Sequence, residues 1–147
     1  KGQQDNAIPS GGAMAAEVLL RLSAFTGDDK YRTAAESAIS QTTAYARRHP
    51  TAFAQWLNAL TLAVGDVVEI AIAGDPGSPE AQSLLSVVRA GYRPLSVVAA
   101  GSAQSVPLLE DRPMRDGRAT AYVCRNFACR APVTEPADVA AQLTSPL

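Results

Sequence analysis

The sequence predicts a mixed α/β chain in which three N-terminal amphipathic helices precede a small βαβ-containing α/β unit. Three observations carry this. Apolar residues recur at helical spacing as far as Val64. The pattern then changes to VVEIAIAG, Val67 to Gly74, a β-branched and nearly continuous apolar run of the kind that forms a strand covered on both faces. A helical stretch and a second apolar run, LSVVAA, come next. The boundary falls at residue 66, which divides the chain into a helical part, 1–66, and an α/β part, 67–147.

The first helix is expected over Ala13 to Phe25, with Met14, Val18, Leu22 and Phe25 on one apolar face and Leu19 beside them. Gly27 stops it, because glycine takes the left-handed conformation that ends helices, and Asp28 can accept the free amides of the next helix. That second helix runs to about Arg48, with Tyr31, Ala35, Ala38, Ile39, Thr42 and Tyr45 turned inward, and ends before Pro50. So short a turn makes the pair antiparallel. Thr51 is the expected cap of a third helix, which carries Phe53, Trp56, Leu57, Leu60 and Val64 and closes at Gly65.

In the second part, Ser78 caps a helix with Pro79 at its first position and Leu84, Leu85 and Val88 inside, ending at Gly91. With Leu95 to Ala100 as the following strand, this is a crossover with parallel strands. Gly101 to Arg118 has two prolines, many charges and no period, and reads as an exposed loop. ATAYVC, Ala119 to Cys124, is a third strand, and TEPADVAAQL a last helix capped by Thr134.

A chain of 147 residues can bury roughly two thirds of its unfolded surface in one core. Hydrophobic residues at 47% and charged residues at 18% are ordinary globular usage. No 18-residue apolar run occurs, so no membrane partner is expected. The start, KGQQDNAIPS, has neither an initiator Met nor a signal-peptide pattern, and reads as a cut from a longer polypeptide. Net charge is −1, and Arg47-Arg48 is the only adjacent basic pair, which gives nucleic acid no electrostatic footprint. Two cysteines without a disulfide-rich pattern favour a reducing, cytoplasmic setting.

Three features could carry chemistry. DNAIPSGG, Asp5 to Gly12, places a carboxylate, an amide and a hydroxyl before a helix N-terminus, where they either face a ligand or simply cap the helix. GDPGSPE, Gly74 to Glu80, sits where α/β sheets bind ligands, yet it is not GxGxxG, lacks the phosphate-loop lysine and carries Asp75 and Glu80, so a turn with a helix cap is the better reading. CRNFAC spaces Cys124 and Cys129 by four residues. That is not the CxxC of a redox dithiol, and a tetrahedral zinc site would need four ligands when His49 is the only histidine and distant in sequence. Buried free thiols or a facultative disulfide is the plainer alternative. No metal and no cofactor is expected, and one histidine, placed at a helix end, supports no nucleophilic triad.

The stretches DNAIPSGGAMAAEVLLRLSAFTGDDKYR and AYVCRNFACRAPVTEP, with PTAFAQWLNAL and EIAIAGDPGSPEAQSLL between them, resemble the C-terminal region of the spermatogenesis-associated, thioredoxin-domain-containing protein family over nearly the whole chain. The resemblance implies a thioredoxin-like domain upstream, then an (α/α)6 toroid of the six-hairpin glycosidase kind, of which 1–66 would be the end and 67–147 an α/β addition. The chain's partners would then be the upstream thioredoxin-like and toroid regions of the same polypeptide, and the isolated fragment, with helix faces left uncovered, is expected to self-associate. The resemblance puts Asp5, Asn6 and Ser10 at the mouth of the toroid and assigns Cys124 and Cys129 to a C-terminal CxNFxC-like motif. Gly12 departs from the family pattern, which commonly has Asn there, so an amide is missing from the loop. Two functions follow. In the first, the intact protein processes a carbohydrate as an epimerase- or glycosidase-like enzyme, with Asp5 as acid/base and Asn6 and Ser10 orienting substrate, while the fragment alone is inactive. In the second, the chain is a non-catalytic redox-linked or protein-interaction module built around Cys124 and Cys129.

Overall fold

The structure, a computed structural model, describes residues 2–102 and 106–144 and shows a mixed α/β chain. It divides into two compact units, 1–66 and 67–147. No helix among the described residues is long and apolar enough to cross a membrane.

The first unit holds α1 (Gly11–Thr26), α2 (Asp29–Arg48) and α3 (Ala54–Val64). The Ser10 hydroxyl accepts the Ala13 amide to start α1, and Gly27, at φ 69°, ends it by donating its amide to the Ser23 carbonyl. Asp28 then accepts the Lys30 amide at the head of α2. The buried face of α1 differs from the expected one. Ala13, Ala16, Leu20 and Ser23 are inside, whereas Met14, Val18 and Leu22 are exposed. Small side chains decide this: Ala13 and Ala16, like Ala35 and Ala46 of α2 and Ala59 of α3, are buried and let helix backbones approach closely, which bulkier residues would prevent. On α2 the inner residues Ala35, Ile39 and Thr42 are buried as expected, but Tyr45 is exposed and stacks on Phe53 with ring centroids 6.3 Å apart.

The expected cap of α3 also differs. Thr51 lies in a 3-10 turn, Pro50–Phe53, and the amide that needs an acceptor, that of Gln55, is taken by the Asp5 carboxylate fifty residues earlier. Trp56 is buried, and its indole N–H donates to the Gln3 carbonyl at 2.8 Å.

The second unit is a four-stranded sheet in the order β2-β1-β3-β4, made of β1 (Val68–Ala73), β2 (Ser96–Gly101), β3 (Thr120–Arg125) and β4 (Ala128–Cys129). β1 and β2 are parallel, joined by α4 (Pro79–Arg89), while β3 and β4 run antiparallel to their neighbours. The chain ends its described course in α5 (Pro136–Thr144). Ile70 and Ile72 of β1, Leu84, Leu85 and Val88 of α4 and Val139 of α5 pack into one core on one face of the sheet. Thr134, the expected cap of α5, has its hydroxyl oxygen accepting from Arg118 Nη1 instead.

The stretch 101–118, expected to be an exposed loop, covers the other face, apart from residues 103–105, which lie outside the described residues. Its 3-10 turn, Pro107–Leu109, packs against β1 and β2 with Leu108 and Leu109 fully buried, and Arg112 just beyond is also buried. Cover on both faces accounts for the nearly continuous apolar pattern of β1, which only Glu69 interrupts.

Candidate functional site

The site lies on the face of the sheet under that connection. Antiparallel register sets Glu69 of β1 opposite Cys124 of β3, and Cys124 opposite Cys129 of β4. Directly opposed residues point to the same face with Cβ atoms roughly 5 Å apart, so a carboxyl and two sulfurs form one row across three strands. Cys124 and Cys129 are joined in a disulfide, so the alternative of buried free thiols is not what the fold contains. Cys124 is fully buried, whereas Cys129 is exposed at the sheet edge.

A two-residue turn at the hairpin tip explains this geometry. Asn126 and Phe127 both have positive φ, 48° and 61°, as the tight hairpin turn that matches strand twist requires. Asparagine tolerates this region; phenylalanine does so only at a conformational cost of order 1 kcal/mol or more. The Phe127 amide donates to Glu69 Oε2 at 2.8 Å, and the Phe127 ring lies under the Arg112 guanidinium, 5.9 Å from its centroid. The tip is thereby held down on the buried carboxyl.

Arg112 connects the parts. Its Nη1 donates to the Leu108 and Glu110 carbonyls at 2.7 and 3.1 Å, and its Nη2 faces Cys129 Sγ at 3.3 Å and Cys124 Sγ at 3.8 Å. Its Nε is buried and has no hydrogen-bond partner among the described residues. Burial pushes the Glu69 carboxyl above the usual glutamate range, and the Phe127 amide and the Arg112 charge offset part of that rise. A cleft of about 450 Å³ opens beside the disulfide, lined by Arg112, Tyr122, Phe127, Cys129 and Arg130 among others. A fixed cation next to both sulfurs stabilises the thiolates that form when the bond is reduced.

A second cleft, about 600 Å³, lies at the carboxyl ends of β1 and β2 between Gly74, Asp75, Gly101 and Met114, with Arg112 on its other wall. Its loop is a capped turn: Asp75 accepts the Gly77 amide at 2.9 Å and Ser78 accepts the Ala81 amide at 3.2 Å. Both Asp75 and Glu80 are acidic and exposed there, as the sequence reading anticipated for a turn.

In the other unit, the entry loop brings Asp5 and Ser10 together. Asp5 Oδ1 accepts the Ser10 amide at 2.7 Å and Oδ2 the Gln55 amide at 2.8 Å. Both oxygens thus hold backbone amides. Asn6 is exposed and borders a shallow cleft with Gln3, Gln4, Tyr45 and Phe53. A Cβ on Gly12 would meet the Trp56 ring at 2.9 Å, so glycine allows α1 to lie against the indole. Among the described residues no group of three or more His, Cys, Asp or Glu side chains is placed to hold a metal ion.

Glu69 and Arg112 escaped the sequence reading. Glu69 had a signal: it is the one charged residue inside an apolar run that must be covered on both faces. Arg112 had none, since it lies in a stretch without period.

Proteins named spermatogenesis-associated protein 20 are similar to this chain over 95% of its length. The human protein is 31% identical over 146 residues and the mouse and rat proteins are each 30% identical over 146 residues. This similarity supports the family resemblance found in the sequence. The chain spans 19% of the human relative's length and 18% of the mouse and rat relatives'. No family model matches the chain, and no solved structure does.

Proposed function

We propose that the chain is a segment of a longer protein of the spermatogenesis-associated family and that its α/β unit is a redox-linked module whose working part is the Cys124–Cys129 disulfide. The observation that carries this reading is the guanidinium of Arg112, buried and aimed at both sulfurs. A disulfide kept only as a staple has no need of a buried cation, whereas one that is opened and closed gains from a group that stabilises its thiolates. Exposure of Cys129 beside a cleft gives an attacking thiolate access, and burial of Cys124 leaves it as the sulfur released.

Alkylation counting on the folded chain tests the reading. After millimolar dithiothreitol without denaturant, then acid quench and alkylation in denaturant, mass spectrometry is expected to find both cysteines labelled, and after glutathione disulfide neither. A bond that resists dithiothreitol until the chain is unfolded would reduce it to a structural link. The carbohydrate-processing reading of the longer protein has less support in this chain, because both oxygens of Asp5, its acid/base candidate, are engaged by backbone amides.

A further inference from the structure

We propose that Glu69 is the acid–base partner of Cys124, taking the thiol proton when the disulfide forms and returning it when the disulfide is reduced. The proposal rests on the redox reading above and adds to it the residue that moves the proton. Its basis is the register: Glu69 stands directly opposite Cys124 on the covered face of the sheet, in the same row as Cys129.

A charged residue at 4% exposure near the start of β1 requires a reason. An apolar residue would complete the strand at less desolvation cost, and the Phe127 amide could be met by a neutral acceptor. A carboxyl supplies two things here that an apolar or amide side chain does not, a countercharge for Arg112 and a proton that can be exchanged. Burial of Cys124 gives such a group a role, since a thiolate released under the connection is shielded from the protons of solvent. Burial also raises the Glu69 carboxyl above the usual glutamate range, which favours its protonated form.

The charged and titratable groups around Glu69 come from each covering element. Arg112 reaches it from the connection and Cys124 from β3, while Cys129 completes the row from β4. Its neighbour on β2 is the uncharged Val97. Glu110, Asp111 and Arg130 lie on the rim of the adjoining cleft, with Tyr122, whose hydroxyl is engaged by donating to the Pro113 carbonyl at 2.6 Å.

The exchange balances with an external dithiol as reductant. Its thiolate attacks Cys129 Sγ, the Cys124–Cys129 bond breaks and a mixed disulfide with Cys129 forms. Cys124 leaves as thiolate and takes the Glu69 proton, so that Glu69 becomes a carboxylate beside Arg112. The second thiol of the reductant then attacks its own sulfur, closes the reductant's disulfide and expels Cys129 as a thiolate facing Arg112. Two electrons pass from the dithiol to the hairpin; the dithiol's two protons go to solvent, and Glu69 and Cys129 Sγ each take one up from solvent to complete the reduced state. Oxidation by a small disulfide runs the same steps backward, with Glu69 as base.

The test follows reduction by dithiothreitol and reoxidation by glutathione disulfide in the 147-residue chain, using acid-quenched alkylation between pH 4 and 9. Glu69→Gln keeps an acceptor for the Phe127 amide but cannot exchange a proton. Its intramolecular closure at pH 7 is expected to be slower on the order of 100-fold, with loss of the carboxyl inflection in the rate profile, and Glu69→Asp should restore part of both. Wild-type rates and profile in Glu69→Gln would overturn the proposal while leaving the redox reading intact. Failure of the folded wild-type chain to react with dithiothreitol would instead remove the redox reading, and the role of Glu69 with it. Carboxyl-carbon NMR of the unaltered chain covers the case of a variant that does not fold: the Glu69 titration should move between the oxidised and reduced forms, and identical titrations would overturn the proposal.

Discussion

Replacing Arg112 with Met should make the disulfide harder to reduce. In the native chain Nη2 stands 3.3 Å from Cys129 Sγ and 3.8 Å from Cys124 Sγ. A unit charge pair at such a distance is worth about 4 kcal/mol at an effective dielectric of 20. Exposure of Cys129 reduces that by solvent screening, and roughly 1–2 kcal/mol per reduced hairpin is the reasonable remainder. For a two-electron couple this corresponds to a potential about 20–40 mV more negative in the variant. A redox titration in dithiothreitol buffers at pH 8.5, read by alkylation, measures it. Arg112→Lys, which keeps the charge, should stay closer to the native value. Equal potentials for the native chain and Arg112→Met would refute the view that the guanidinium stabilises the thiolates. The fold must be followed in parallel, because the Met variant leaves the Leu108 and Glu110 carbonyls without their donor, at a cost of about 1–3 kcal/mol for each one that stays dry.

Glu69→Gln should alter how stability depends on pH. Because the folded carboxyl titrates above its unfolded value of 4.5, the folded chain binds more protons in that window, and stability falls as pH rises through the folded pKa. The native chain should therefore lose stability relative to the Gln variant as pH rises from about 4.5 through the folded pKa; parallel urea curves with no divergence would contradict this. Asp5→Ala removes the acceptor of two backbone amides, and urea denaturation should show a loss of about 2–4 kcal/mol in the helical unit. Gly12→Ala drives a methyl against the Trp56 ring and should cost about 1–3 kcal/mol, seen as a lower midpoint with altered tryptophan fluorescence.

The elements were legible because each is specified locally. Gly27 and Asp28 form the tight link between α1 and α2, Ser78-Pro79 opens α4, and the change of period near residue 66 separates helices from strands. Faces were less legible. On α1 the apolar stripe of Met14, Val18 and Leu22 has the larger side chains, but close packing selected the alanines beside it. Long-range caps were invisible, as the fifty residues between Asp5 and Gln55 show. The site was half legible: Cys124 and Cys129 stood out as the two cysteines of the chain although their spacing fitted no familiar dithiol, whereas Arg112 reaches them from a connection whose main apolar run is Val106, Leu108 and Leu109. The β3–β4 hairpin itself was missed because its turn residues, Asn126 and Phe127, lack the glycine that usually marks such a turn.

The shortness of the Cys124–Cys129 link bears on its purpose. The two residues are five apart in sequence, and closing so small a loop restrains the unfolded chain by only about 2 kcal/mol in the chain-entropy view, against nearly 5 for a loop of a hundred residues. The sheet also holds the hairpin by other means, through the strand pairing, the Glu69–Phe127 hydrogen bond and the Phe127–Arg112 contact. Opening the bond therefore removes a modest part of the stability and leaves its neighbours to keep the tip in place. A link that contributes little to the fold, lies with one sulfur exposed and faces a buried cation is suited to being made and broken while the chain stays folded.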